Sequence, residues 1–332
     1  MSDRPQTPYK LEELLSFPLE RLACAVGRES NLWWLYDDEG QGRRLLPILT
    51  GPYTPPGPYP EAFYRAQKWL RLKRTEIQKT IIEVFDYGSK KDLYPRGKES
   101  DLVLDLADAL APLCHEPSPV DPTLVAALIF RLGLAEFCRD FDQGPRFKPW
   151  SLEEALGFDA QAANEAASRG GALFYSGDWK AAIPFYQKAL SHYPVHVAAM
   201  NDLAYIYATY LPGEKKGLEY AEFLLMNTSK GEARECEILD TAGWSYYRHA
   251  GDLVKSEEYL RDALKLRKPG EPYYISLAYH LMSVLKDANK IADLNVIYDT
   301  LSGVHATNQF DREAHVLAKK LVKGVPRRPH PR

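Results

Sequence analysis

Between residues 163 and 302 small residues recur at intervals that suit paired helices. Gly170 is followed seven residues on by the turn glycine of Gly177-Asp178-Trp179, and five further on by Ala182. Tyr186, Ala189-Leu190 and a closing Pro194 complete the ladder. The starting position comes back as Ala204, 34 residues on, inside residues 201–207. It returns as Gly243 after another 39 and as Met282 after 39 more. The five extra residues of the second interval are assigned to the loop at 211–215. Those of the third are one residue before Gly251 plus the connection Pro269-Gly270-Glu271-Pro272. Insertions at turns leave helix packing in register.

Each rung has a steric reason. Gly170, Ala204 and Gly243 let the first helix of a pair press on the second, and Ala182, Ser256, Ala189 and Ala263 answer from the second helix. Tyr186, Leu190, Leu260 and Leu264 fill the space between pairs. Gly177 and Gly251 end first helices, where a left-handed residue is cheap as glycine. Pro194 and Pro269 stop second helices. The second pair has Thr228 at the place of the later alanine, and the fourth keeps only the spacing of Leu294, Tyr298 and Leu301. This ladder resembles the tetratricopeptide repeat (TPR) family, helix–turn–helix units of about 34 residues. One such pair cannot bury its own apolar face, so the resemblance implies an α-solenoid of about four repeats as the folding unit.

The resemblance also implies a site. Partners of that family lie in a concave groove lined by the first helix of each pair. Carried over by register, the groove positions are Phe174 and Tyr175; Asn201, Asp202 and Tyr205; Asp240, Thr241, Trp244, Tyr247 and Arg248; and Tyr279, His280, Ser283 and Lys286. Aromatic and hydrogen-bonding side chains of this kind make binding hot spots. The other reading is that these rings are covered by the protein's own residues. Some of the family clamp a C-terminal carboxylate with lysine and asparagine. Here those positions are Ala167, Gly171 and Asp202, which argues against that ligand.

Composition narrows the rest. A chain of 332 residues, 45% hydrophobic, 26% charged and of net charge −3 has room for two domains and no global attraction to nucleic acid. The cysteines, Cys24, Cys114, Cys138 and Cys236, form no close pair, pointing to a reducing compartment and away from a cysteine-built metal site. The polar start, Met1-Ser2-Asp3-Arg4-Pro5, has no apolar signal core, and the apolar run at 124–137 is broken by Arg131 and Glu136. The expectation is a cytoplasmic protein without a membrane span.

Residues 1–145 read as a mainly helical domain, with no family suggested. Pro18 divides an apolar pattern at 11–26 into two short helices. Residues 32–49, containing Leu32-Trp33-Trp34-Leu35-Tyr36, suggest a small β-hairpin, and the proline-rich residues 51–60 a stiff crossing. A long helix is expected from Glu61 to about Tyr87, with Phe63, Trp69, Leu70, Leu72, Ile77, Ile81, Ile82 and Phe85 as its apolar set. Ser100 is placed as the cap of a helix that Pro112 ends; Asp121-Pro122 opens another running to about Arg139. Residues 146–162 form a linker and short helix, and residues 303–332 a terminal helix at about 312–322 covering the last repeat, then a basic tail.

Other candidate chemistry has a plainer explanation. Arg71, Lys73 and Arg74, within a basic stretch from Arg65 to Lys98, are the residues that would touch phosphates. A solvated face whose long stems cover apolar surface explains them better in an acidic protein. Asp101, Asp105 and Asp108 share a helix face, as a metal-dependent nuclease needs, but no lysine or histidine stands at a catalytic spacing. His192 and His196 are separated by Pro194, which spoils the helical zinc geometry. The sequence therefore points to a mainly α protein, a TPR-like stack behind a helical domain. Its expected role is that of a non-catalytic adaptor or regulatory subunit with a protein or peptide partner, no cofactor and no metal. Nucleic-acid association through residues 64–98 is the alternative, and an enzyme with an unfamiliar N-terminal domain is the third.

Overall fold

A computed structural model describes residues 11–29, 61–86, 99–114, 120–138, 152–228 and 234–323. Among these residues every regular element is a helix, so the chain is mainly α. The expected hairpin, the proline-rich crossing, the lysines and arginine at 90–98 and the basic tail lie outside the described residues. The chain divides into two compact units, residues 1–163 with 192–195, and residues 164–191 with 196–332.

In the first unit α1 (Leu11–Ser16) and α2 (Leu19–Glu29) are parted at Pro18, where Arg131 donates to the carbonyl oxygen of Phe17 at 2.9 Å. Helix α3 (Glu61–Lys79) lies against α2 so closely that a Cβ on Gly27 would fall 1.5 Å from the Ala62 carbonyl oxygen. The end of α3 widens into a π-turn, Thr80–Val84. Phe63, Trp69, Leu70, Ile77, Ile81 and Phe85 are buried as expected, but Leu72 and Ile82 are exposed. Helix α4 (Glu99–Leu110) starts one residue before Ser100, which is therefore not its cap. Helix α5 (Pro122–Leu132) is capped by Asp121, whose Oδ1 accepts from Thr123 N at 2.7 Å. Gly133, at φ 92°, interrupts the expected run to Arg139, and α6 (Leu134–Cys138) restarts after it. A short helix, α7 (Leu152–Ala155), follows. Residues 192–195 belong to this unit because Tyr193 is fully buried, its ring 6.1 Å from Phe63 and 5.0 Å from Phe158.

The second unit is a succession of helix pairs. They are α8 (Ala160–Tyr175) with α9 (Trp179–His192), α10 (Val197–Tyr210) with α11 (Lys216–Asn227), α12 (Glu235–Ser245) with α13 (Leu253–Lys265), and α14 (Tyr274–Asp287) with α15 (Ile291–Thr300). Helix α16 (Gln309–Leu321) packs on α14. The ladder residues do what their size suggested. A Cβ on Gly170 would sit 3.0 Å from the Tyr186 ring, and one on Gly243 2.6 Å from Leu260 Cγ. Ala182, Ala189, Ala204, Ser256 and Ala263 are fully buried. Gly177 and Gly251 have φ of 95° and 65°, closing the first helices of the first and third pairs.

The second pair corrects the register. Gly217 takes the small position on α11: a Cβ there would lie 2.9 Å from Tyr207 Cβ and 3.3 Å from the Ala204 carbonyl oxygen. Leu224, fully buried, fills the later rung, and Thr228 lies beyond the helix end. The extra residues of this pair thus fall mainly between α11 and α12, not inside the hairpin. The sequence hid this because glycine and leucine stand where the first pair has two alanines.

Candidate functional site

The residues placed in the groove come together, but as a filled cluster. Trp244 on α12 stacks on His280 of α14 with centroids 4.2 Å apart and planes at 21°. Its Nε1 donates to Thr209 Oγ1 on α10 at 3.0 Å. Asp240 Oδ1 holds His280 Nδ1 at 2.8 Å. Tyr205 on α10 reaches His280 at 5.8 Å, so rings from the second, third and fourth pairs meet. Trp244 and His280 are 5% and 2% exposed, and Phe174 and Asn201 are buried too. Thr241 and Ser283 are buried, the latter donating to the Tyr279 carbonyl oxygen.

The outer part of the set stays accessible. Tyr175 is 51% exposed, Arg248 is exposed, and Tyr247 and Tyr279 are half-buried. Arg248 lies over the Trp244 ring at 5.6 Å while its Nε donates to the Ala208 carbonyl oxygen. Tyr247 donates its hydroxyl to Asp287 Oδ2 at 2.6 Å. Lys286 reaches the Leu321 carbonyl oxygen at 3.4 Å. Burial, then Asp202, raises the Tyr175 phenol; burial, then Asp240, raises that of Tyr205. Both therefore remain neutral donors at ordinary pH.

What fills the cluster comes from the chain itself. Phe310, at the start of α16, has its ring 5.1 Å from Phe174, 5.8 Å from Tyr175, 6.3 Å from Tyr205 and 6.1 Å from Tyr273. The next residue, Asp311, is 1% exposed. Its Oδ2 accepts from Tyr273 N at 2.9 Å and its Oδ1 from Ser276 N at 3.1 Å. The expected terminal helix is thus present, but it begins at Gln309 and does more than cover the last pair. Sequence reading missed Tyr273, Phe310 and Asp311. One signal was available: no Ser, Thr, Asp or Asn precedes α14 to cap it.

Behind the cluster, Asp202 accepts the Tyr186 hydroxyl at 2.7 Å. Burial raises its carboxyl to about 6, against the pull of that hydrogen bond. His196, one of the discounted histidines, caps α10: its Nδ1 accepts from Ala199 N at 3.2 Å and its Nε2 meets Asn164 Oδ1 at 3.1 Å. Burial lowers it to about 4, keeping the ring neutral as the cap requires.

The basic trio of the first unit is partly committed to the fold. Arg71 is exposed, and Lys73 pairs with Glu76 at 3.1 Å. Arg74 donates to the Phe137 carbonyl oxygen at 3.3 Å and lies over that ring at 5.7 Å. Asp101, Asp105 and Asp108 are exposed along α4. No grouping of three metal-ligating side chains occurs among the described residues, and no described helix is long and apolar enough to cross a membrane. No protein-family model and no curated protein matches this chain.

Proposed function

We propose that residues 164–323 are a TPR-type stack serving as a non-catalytic adaptor or regulatory subunit. Its first-helix surface would take a segment of a partner protein. The observation that carries this reading is the continuous line of rings Tyr205, His280, Trp244, Tyr279 and Tyr247, drawn from three successive first helices and the π-turn Tyr246–Ala250 that continues α12, and edged by Arg248. Aromatic rings beside an arginine are the residues that dominate binding energy at protein interfaces. The buried members, Trp244 and His280, hold the shape; Tyr175, Tyr247, Arg248 and Tyr279 would meet the partner.

The test is capture of the native partner by the purified full chain carrying Tyr247→Ala with Arg248→Glu. Removing one aromatic anchor and reversing one charge should weaken capture by about 10-fold or more. The far-UV circular dichroism should stay that of the wild type. Undiminished capture by this variant would rule out the first-helix surface.

A further inference from the structure

The hollow already shows what it holds. Phe310 stands in a socket of four rings, with Tyr175 and Tyr205 both edge-on to it at 88°. This is the arrangement in which a ring's positive edge meets another's negative face. One residue on, the Asp311 carboxylate lies against the first N–H groups of α14. That helix has no side-chain cap of its own, and its N-cap residue Tyr273 sits at φ 67°, a conformation that non-glycine residues hold only under constraint. The two donors and the ring socket form one receptor for an aromatic side chain followed by a carboxylate. The rest of the segment packs on the core of the last pairs through Ala314, Ala318, Leu321 and Val322, while Val316 and Leu317 are 53% and 40% exposed.

We propose that the Phe310–Asp311 step is a resident, displaceable ligand of this hollow. The partner segment that replaces it is then a peptide presenting a phenylalanine followed directly by an aspartate. The inference rests on the first-helix surface being the partner site and names the chemistry that site selects. A tethered ligand competes at millimolar effective concentration, so a free peptide is held off until the tether lets go.

The probe is a fluorescein-labelled peptide of residues 303–322 of this chain, titrated by fluorescence anisotropy into the full-length protein. The Phe310→Ala protein should bind it roughly 10- to 100-fold more tightly than the wild type, because the internal competitor has lost its anchor. Peptides carrying F310A or D311N should lose at least about 10-fold on that protein. Equal binding by wild type and Phe310→Ala, or by the altered peptides, overturns the proposal. Hydrogen exchange of the wild-type chain supplies a reading that needs no variant. Saturating peptide should speed exchange at residues 309–321, and unchanged exchange there overturns the proposal as well. Light scattering that shows a wild-type dimer turned monomer by Phe310→Ala would assign the segment to a second copy and also overturn it. If the peptide fails while Tyr247→Ala with Arg248→Glu still loses the partner, only the phenylalanine–aspartate chemistry is wrong. If that variant keeps its partner, the surface itself is excluded.

Discussion

Asp311 caps a helix 35 residues upstream of it, accepting the backbone N–H of Ser276 at 3.1 Å while its other oxygen takes that of Tyr273 at 2.9 Å. Thr307 Oγ1 and Asn308 Nδ2 also donate to this carboxylate, at 3.1 and 2.9 Å. A buried carboxylate with four donors is expensive to remove, because each donor is then left without its acceptor. Asp311→Ala should cost about 2–4 kcal/mol in urea unfolding. Asp311→Asn, which keeps one acceptor, should cost about half. A loss below about 0.5 kcal/mol for the alanine variant would mean that α14 does not depend on this cap.

The close approach of α12 and α13 makes a second expectation. A methyl at Gly243 would meet Leu260 Cγ at 2.6 Å and the Ser256 carbonyl oxygen at 3.1 Å, and backbone cannot move aside cheaply. Gly243→Ala should destabilise by about 1–3 kcal/mol. Gly213 has open space around it, so Gly213→Ala should stay within about 0.5 kcal/mol of wild type. Thermal unfolding of the two variants side by side checks the contrast.

Asp202 ionises at the expense of the fold. Burial raises its carboxyl from 3.8 to about 6, so the folded chain binds this proton before the unfolded chain does. Its contribution to stability is accordingly lowest above pH 6 and improves as pH falls from about 6 towards 4. Asp202→Asn, which can still accept from Tyr186, should be more stable than wild type at pH 7.5 by about 1–2 kcal/mol. That advantage should disappear near pH 4. Denaturation of both proteins across this range measures the difference.

His196 has the opposite sign. Burial lowers it from 6.5 to about 4, so the unfolded chain takes up this proton first. The stability it provides is complete above pH 6.5 and is lost as pH falls towards 4, where protonation of Nδ1 removes the acceptor that Ala199 N needs. His196→Ala should cost about 1–2 kcal/mol at pH 7.5, the value of a lost helix cap. His196→Asn, with a carbonyl oxygen to accept the same N–H, should keep most of the stability and lose the acid sensitivity. Comparing wild type with both variants at pH 7.5 and pH 5 separates this effect from that of Asp202.

Most of the packing of residues 164–301 was legible because it rests on local steric demands. A glycine at a left-handed position and a small residue facing a ring announce themselves within a few residues, as Gly177 and Gly170 do. The second pair was misread because glycine at 217 and leucine at 224 meet the same demands by a different division of volume between the helices. Register places Trp244 and His280 on one surface, yet nothing in either segment says that the two stack and are nearly buried. Such contacts depend on how successive helix pairs pack on one another, which no single pair encodes. The Phe310 and Asp311 contacts join residues 35 to 136 positions apart and leave no periodic trace. In the first unit, Leu72 and Ile82 fit a helical apolar pattern but lie exposed, because periodicity identifies a face without saying what covers it.

Site-specific photo-crosslinking in the native cell tests the functional reading most directly. A benzophenone amino acid would replace Arg248 on the first-helix surface, Val254 on α13, where the side chain is 79% exposed, or Arg71 on the basic helix. The expected result is one protein partner crosslinked from position 248, competed away by the phenylalanine–aspartate peptide, and absent from positions 254 and 71. Crosslinks to a partner from position 254 or 71 with none from 248 would contradict it.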